Sequence, residues 1–278
     1  MQRPQAACKG LLAGLLCLAG AARADEPPAP VSLDASRDYL IGVSVVSSAA
    51  QLGSDTGQST RARPMWAFQL GRFRFASSGA SALLTQGRQS VDTGVSTVVA
   101  GSDRWSMSTS LRIDEGRSWD GDARLNGLPD VRGTLRGRLT ANVALGKRWS
   151  ASVRGSQDLL GREGGLRIDS GLGYRYPISS QTHWDLSLGV GWANATHART
   201  YYGIAPSDAQ ATGLPAYRPG AGWDTASVGW RLTSALNRHW VMYGGVGASQ
   251  LQGAAARSPL VGRKTVYSAT VGLAYRNH

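Results

Sequence analysis

Apolar and polar residues alternate along most of this chain with a period of two. From Trp184 onward, Leu186, Leu188, Val190 and Trp192 share one face, and Asp185, Ser187, Gly189 and Gly191 share the other. From Trp105, Met107, Leu111 and Ile113 oppose Ser106, Ser108, Ser110, Arg112 and Asp114. Between 131 and 145, Val131, Leu135, Leu139, Val143 and Leu145 oppose Arg132, Arg136, Arg138 and Asn142. Between 166 and 176, Leu166, Ile168, Leu172, Tyr174 and Tyr176 oppose Arg167, Asp169 and Arg175. Such alternation marks strands with one apolar and one polar face. The runs match the roughly 9–11 residues of a tilted membrane crossing and exceed the roughly 5–6 of an average soluble strand. The pattern predicts an all-β fold, a transmembrane antiparallel β-barrel.

Twelve strands are expected, at 38–49, 61–70, 72–78, 95–101, 105–114, 131–145, 149–159, 166–176, 184–194, 223–235, 240–251 and 265–276. The even number returns both termini to one side, the periplasm in single-chain bacterial barrels. Short connections at 71–72, 102–104, 146–148, 177–183 and 236–239 alternate with long ones at 50–60, 79–94, 115–130, 195–222 and 252–264. The link at 160–165 is a tight turn on the long-loop side. Short turns face the periplasm in such barrels and long loops face outward. Four short turns end in tryptophan, at Trp105, Trp149, Trp184 and Trp240. An indole is apolar but keeps an N–H that wants a partner, so it collects at membrane interfaces. These four are expected to form a periplasmic aromatic girdle.

The start of the chain sets its compartment. Arg3 and Lys9 precede the apolar stretch Gly10–Gly20, and Ala22-Arg23-Ala24 has the small-x-small form of a cleavage site before Asp25. This is the pattern of a secretory signal peptide. The expected organisation is a cleaved signal over 1–24, an extended Pro-rich periplasmic leader over 25–37, and an outer-membrane barrel over 38–278. Both cysteines, Cys8 and Cys17, lie in the signal, which leaves the mature chain without disulfide or thiol chemistry. Leu15 and Leu16 precede Cys17 where a lipidation site would carry small residues.

Charge sharpens the picture. The whole chain carries +12, and removing Arg3, Lys9 and Arg23 from 30 basic residues leaves 27 against 18 acidic. The arginines alternate with apolar residues along strands and are not massed on one surface, which argues against nucleic acid as a partner. Outer-membrane lipid and lipopolysaccharide phosphates, murein or an internal Arg–Asp lattice are the expected partners of this charge. On the polar faces of five consecutive strands stand Arg112, Asp114, Arg132, Arg136, Arg138, Arg154, Asp158, Arg167, Asp169, Arg175 and Asp185. They would form either an ion-paired lattice filling a narrow lumen or the wall of an anion-preferring, porin-like channel.

No motif for catalysis, metal or cofactor emerges. His183, His197, His239 and His278 show no ligand spacing, and no nucleophile elbow, Walker loop or dinucleotide fingerprint is present. A lipid-acting barrel enzyme would need a serine beside a histidine such as His197, a geometric relation. The expectation is a non-enzyme without cofactor.

Some segments speak for a family. Gly127-Leu-Pro-Asp-Val131, Gln157-Asp158-Leu159, Tyr201-Tyr202-Gly203-Ile204, Gly213-Leu-Pro-Ala-Tyr217 and Ser258-Pro259-Leu260-Val261 occur in that order. Together they resemble the MipA/OmpV family of outer-membrane proteins, well over 125–278 and loosely over 37–124. The resemblance implies a scaffold in murein (peptidoglycan) growth whose partners are a lytic transglycosylase, MltA, and a bifunctional penicillin-binding protein. Arg257 stands where an acidic residue is expected, and the segment from Ser78 to Gly94 is longer than the family pattern. The last strand resembles the terminal assembly signal of outer-membrane barrels through Thr270, Gly272 and Tyr275, with Asn277 replacing a second aromatic.

The signal pattern makes a direct prediction. N-terminal sequencing of membrane-extracted protein should begin at Asp25, and a start before residue 20 or an acylated Cys17 would refute the soluble leader.

Overall fold

A computed structural model of the chain describes residues 39–49, 58–77, 80, 93–117, 125 and 127–277. The signal peptide and leader expected over 1–37, together with His278, lie outside the described residues. Twelve antiparallel strands close into a barrel in which each pairs with its neighbours in sequence and β1 pairs with β12. They are β1 (Tyr39–Ala49), β2 (Gln58–Leu70), β3 (Phe73–Ala76), β4 (Gly94–Gly101), β5 (Trp105–Asp114), β6 (Thr134–Ala144), β7 (Trp149–Asp158), β8 (Leu166–Pro177), β9 (Thr182–Ala193), β10 (Gly222–Ala235), β11 (Trp240–Leu251) and β12 (Thr265–Arg276).

The alternation read from sequence sorts side chains to the two faces of the wall. Ile41, Val43, Leu139, Val153, Leu188 and Val271 are exposed on the outside, although each is large and apolar. Ser44, Ser96, Ser110, Thr140 and Ser156 are buried on the inside. An apolar exterior around a polar interior inverts a soluble protein and fits hydrocarbon as the outer solvent. Closure removes free edges that hydrocarbon cannot hydrogen-bond.

Glycines on the inner face make room for serine hydroxyls across the strand. Gly173 lies opposite Ser150, and Gly229 opposite Ser187. At both glycines a Cβ would stand 2.8 Å from the facing serine Oγ. Around β1, β2, β11 and β12 the lower lumen is instead apolar. Leu40, Met65, Ala67, Ala76, Ala80, Val241, Tyr243 and Ala274 pack together there, and the Tyr243 hydroxyl donates to Met65 Sδ at 2.9 Å.

Three departures from the sequence expectation stand out. β3 has four residues, not the seven expected over 72–78, and β6 starts at Thr134, so Arg132 precedes the strand. The connection expected as a plain loop over 195–222 holds two helices, α1 (Ala195–Tyr202) and α2 (Pro206–Thr212). Asn194 caps α1 by accepting from the His197 N–H at 2.9 Å, a standard way to satisfy a first-turn donor.

Facing can be tested in β9. Leu188, aligned with Leu172 and Val228 on the outer face, should tolerate arginine poorly, at a cost of about 2–4 kcal/mol near the midplane. Ser187→Arg, on the inner face, should cost much less. Urea unfolding in lipid vesicles gives both values, and the reverse order would shift the register by one residue.

Candidate functional site

The inner faces of β5 to β9 bring the predicted charges together. Register sets Arg112 beside Arg136, Arg136 beside Asp158, Arg154 beside Asp169, and Arg175 beside Asp185. The contacts are more selective than adjacency. Arg136 Nε donates to Asp114 at 2.6 Å and Arg175 Nε to Asp185 at 2.6 Å. Arg167 donates to Asp169 at 3.0 Å and approaches Asp224 at 3.5 Å. Asp158 instead accepts from the Thr134 hydroxyl and from the N–H groups of Leu160 and Gly164, at 3.0 and 2.9 Å. Arg154 reaches Thr140, and Arg138 lies half-buried on the inner face of β6. Arg112 is exposed on the inner face of β5 and has no ion pair among the described residues, and Arg132 is exposed outside the strands.

Residues the sequence reading missed complete this network from above. α1 crosses the long-loop mouth and is tied to separate parts of the rim. The Tyr201 hydroxyl donates to Asp114 at 3.2 Å and accepts from Arg136 at 3.2 Å. Arg117 donates to the Tyr201 carbonyl, Ser258 to the Tyr202 carbonyl, and Thr200 to the Glu163 carbonyl. His197 stacks on Tyr201 and shares its Nδ1 proton with the Gly164 carbonyl at 2.8 Å. None of these partners, nor Asn194, is a serine. Gly165 has φ +62°, and a Cβ there would come within 2.4 Å of the His197 nitrogen, so this close seat requires glycine. Burial, helped by the Asp224 carboxylate, pushes the Tyr202 hydroxyl up to about 12.

Asp224 stands at a β-bulge, where the register of β10 against β9 slips between Trp223 and Thr225. It is 3 % exposed, and neither carboxylate oxygen accepts a hydrogen bond among the described residues. Among the described residues, Arg167 is the one cation at salt-bridge range of it. The bulge has no sequence signal, and the one signal that could have found α1 is Asn194, a capping type of residue before an alanine-rich turn.

The segments that carry the family resemblance converge above this cap. Leu125, Ile204 and Leu260 form a buried cluster against Leu128, Leu214 and Tyr217. Ile204 and Tyr217 pair as a bridge, as do Arg117 and Val131. Four of the five motifs therefore pack together as a folded roof over the long-loop mouth, and Gln157-Asp158-Leu159 lies at the end of β7 instead.

At the opposite rim, Trp105, Trp149 and Trp240 begin their strands and Trp184 is the third residue of β9. Trp149 and Trp184 pack on Tyr174, Trp184 also on Tyr176, and Trp240 on Tyr275. Trp66 stacks on Phe68, and Phe68 on Phe75, extending the same aromatic side. In β12, Gly272 faces inward under the Tyr243 ring, Thr270 lies half-buried, and Tyr275 contacts Tyr39 of β1.

The cap is sensitive to pH through His197. Burial holds its pKa below the ordinary 6.5; the Gly164 hydrogen bond opposes this, and Arg136 and Arg167 reinforce it. The unfolded cap takes up the proton first, so its stability is full above about 6.5 and falls as pH drops toward the lowered folded value. Below that value the loss levels off. Amide exchange protection of α1 should decline across this window, and His197→Gln should flatten the decline.

Comparison with known proteins adds the family. The model of MltA-interacting protein MipA matches residues 41–277. No curated protein matches. Among solved structures, the chain is similar to the KdgM porin at 8 % identity and TM-score 0.42, covering 85 % of this chain and 99 % of that one. It is similar to the NanC porin at 10 % and 0.43, covering 84 % and 98 %. An anion-selective porin from Comamonas acidovorans aligns at 9 % and 0.38, covering 86 % and 98 %. The closed barrel, its apolar exterior and the family match assign the chain to the bacterial outer membrane. With nearly the whole described barrel inside the match, the chain belongs to the family of the MltA-interacting protein MipA.

Proposed function

We propose that this barrel is a non-enzymatic structural and interaction protein, a scaffold of the MltA-interacting type with short turns toward the periplasm. Its periplasmic partners would be a lytic transglycosylase and a penicillin-binding protein of the murein synthesis and hydrolysis machinery. The observation that carries the reading is the long-loop mouth, where α1 is hydrogen-bonded to β5, β6, the 159–165 turn and the 252–264 loop. A helix so held narrows the mouth, as expected of a barrel that presents surfaces rather than passing solutes. The short-turn rim supplies a surface for partners. Arg72, Arg104, Lys147, Arg148 and Arg238 are exposed there, against the one turn carboxylate Asp103.

A second reading, a narrow anion-preferring channel, is favoured by the inner arginines, Arg112 above all. The two readings differ in conductance. Refolded protein in planar bilayers should show no steady open level under the scaffold reading. Steady anion-selective steps that shrink in Arg112→Gln would favour the channel. Purified lytic transglycosylase should bind the reconstituted barrel, and Arg104→Glu with Lys147→Glu and Arg238→Glu should weaken binding by about tenfold or more. Unchanged binding would remove the basic rim from the scaffold reading.

A further inference from the structure

The short-turn rim carries a guanidinium that has crossed to the lipid side of the wall. By alternation from the outward Trp149, Arg148 belongs to the inner face. It stands instead in the 145–148 turn, beside Gly146 at φ +112°, and its side chain reaches the outer face of β8. Its Cζ lies 5.0 Å from the centroid of the Tyr176 ring, and its Nη1 donates to the Tyr174 hydroxyl at 3.3 Å. Both tyrosines share that outer face with exposed Leu172. The other cation–π contacts among the described residues, at Tyr201 and Tyr243, belong to the cap and the lumen.

Arg148 rests on a continuous aromatic platform. Trp149 and Trp184 pack on Tyr174 at ring distances of 4.8 and 5.6 Å, and Trp184 stacks on Tyr176 at 5.5 Å. A ring face orients a guanidinium but does not neutralise it.

These donors lack acceptors. Arg148 is exposed, and among the described residues it has no ion pair and no further acceptor for its remaining N–H groups. The Tyr174 hydroxyl, having accepted from Arg148, keeps its own proton to give, and no described group takes it. Lys147, one residue away, is exposed and adds a second positive charge. The adjoining connections, 145–148 and 177–183, contain no carboxylate. Asp185, the one carboxylate of β9, lies on the inner face with Arg175. Toward the middle of the wall the outer face turns apolar, with Leu172, Leu186 and Leu188 exposed.

From this we infer that the outer wall over β7, β8 and β9 holds a site for an anionic glycerophospholipid of the leaflet at the short-turn end. Phosphate only accepts hydrogen bonds, so it meets the Arg148 guanidinium and the Tyr174 O–H. The glycerol and ester groups lie along Trp149 and Trp184, and the acyl chains run over the three leucines. A net negative headgroup is favoured over a zwitterionic one, because no carboxylate stands by to take an ammonium group. The occupant is a lipid because the donors sit on the outer face where rings give way to leucines, the boundary between headgroups and hydrocarbon. The inference rests on insertion of the barrel and is independent of the scaffold role, whose test alters Arg104, Lys147 and Arg238 and leaves Arg148 in place.

The test uses the full mature chain in nanodiscs of phosphatidylcholine with a minority of phosphatidylglycerol, followed by native mass spectrometry of retained lipid. Arg148→Gln with Tyr174→Phe should lower retained phosphatidylglycerol about fivefold or more, with phosphatidylcholine unchanged. Arg104→Gln with Arg238→Gln removes two charges from the same rim and should leave both lipids unchanged. Equal phosphatidylglycerol in the first variant, a matching fall in phosphatidylcholine, or an equal loss in the second variant overturns the site. Should the first variant not fold, a benzophenone on Ile178→Cys, in the exposed turn beside Tyr176, decides. Cross-links to phosphatidylglycerol beyond its share of the bilayer support the site; cross-links in proportion to composition, or only to protein, overturn it.

Discussion

Hydrocarbon offers no hydrogen bonds, and the architecture of this chain follows from that single property of its surroundings. Each strand must find two neighbours, so the sheet closes on itself from β1 to β12. Side chains then divide by solvent. Valine, leucine and isoleucine face lipid, and the groups that would be exposed in a soluble protein turn inward. The inside becomes the crowded polar phase, and serine placed across from glycine is how this chain fits polar atoms into it.

Gathering charge inside creates a second requirement, since a buried ion needs a partner or water. Below the mouth the strands meet it themselves, as Arg175 does with Asp185. At the mouth the strands run out of partners, and the loops supply them. Tyr201 sits between Asp114 and Arg136, and the 159–165 turn aims its N–H groups at Asp158. The long-loop roof is therefore part of the electrostatic balance of the barrel. Its family motifs hold the roof together through the Leu125, Ile204 and Leu260 cluster.

Most of the barrel was legible because a period of two is a strong signal when one face meets lipid and the other does not. Strand number, pairing order and the alternation of short and long connections all follow from it. The short β3 was not legible: Phe73, Phe75 and the serines after them continue an acceptable strand pattern, and only contacts decide where pairing stops. The inner charges could be assigned to a face from alternation, but their partners could not. Arg136 takes Asp114 on the neighbouring strand, two residues from its direct register partner, and Asp224 enters through a bulge that shifts the pattern by one. Long-range contacts made by α1 carry no periodic signature at all.

The junction of β1 with β12 has a consequence for how the molecule is made. Leu40 pairs with Arg276 and Ser48 with Ser268, so the bonds that close the wall join residues more than two hundred positions apart. Contacts of such separation form slowly because the ends must first be brought together at an entropic cost. Every other strand pairing is local, so a growing sheet can zip strand by strand while its two outer edges stay unsatisfied. The chain is therefore most vulnerable to aggregation just before completion, when it carries the largest sheet and two bare edges. Tyr275, which meets Tyr39, Trp240 and His239 at that junction, sits where a ring of aromatic contacts can hold the final pair in register as the edges disappear.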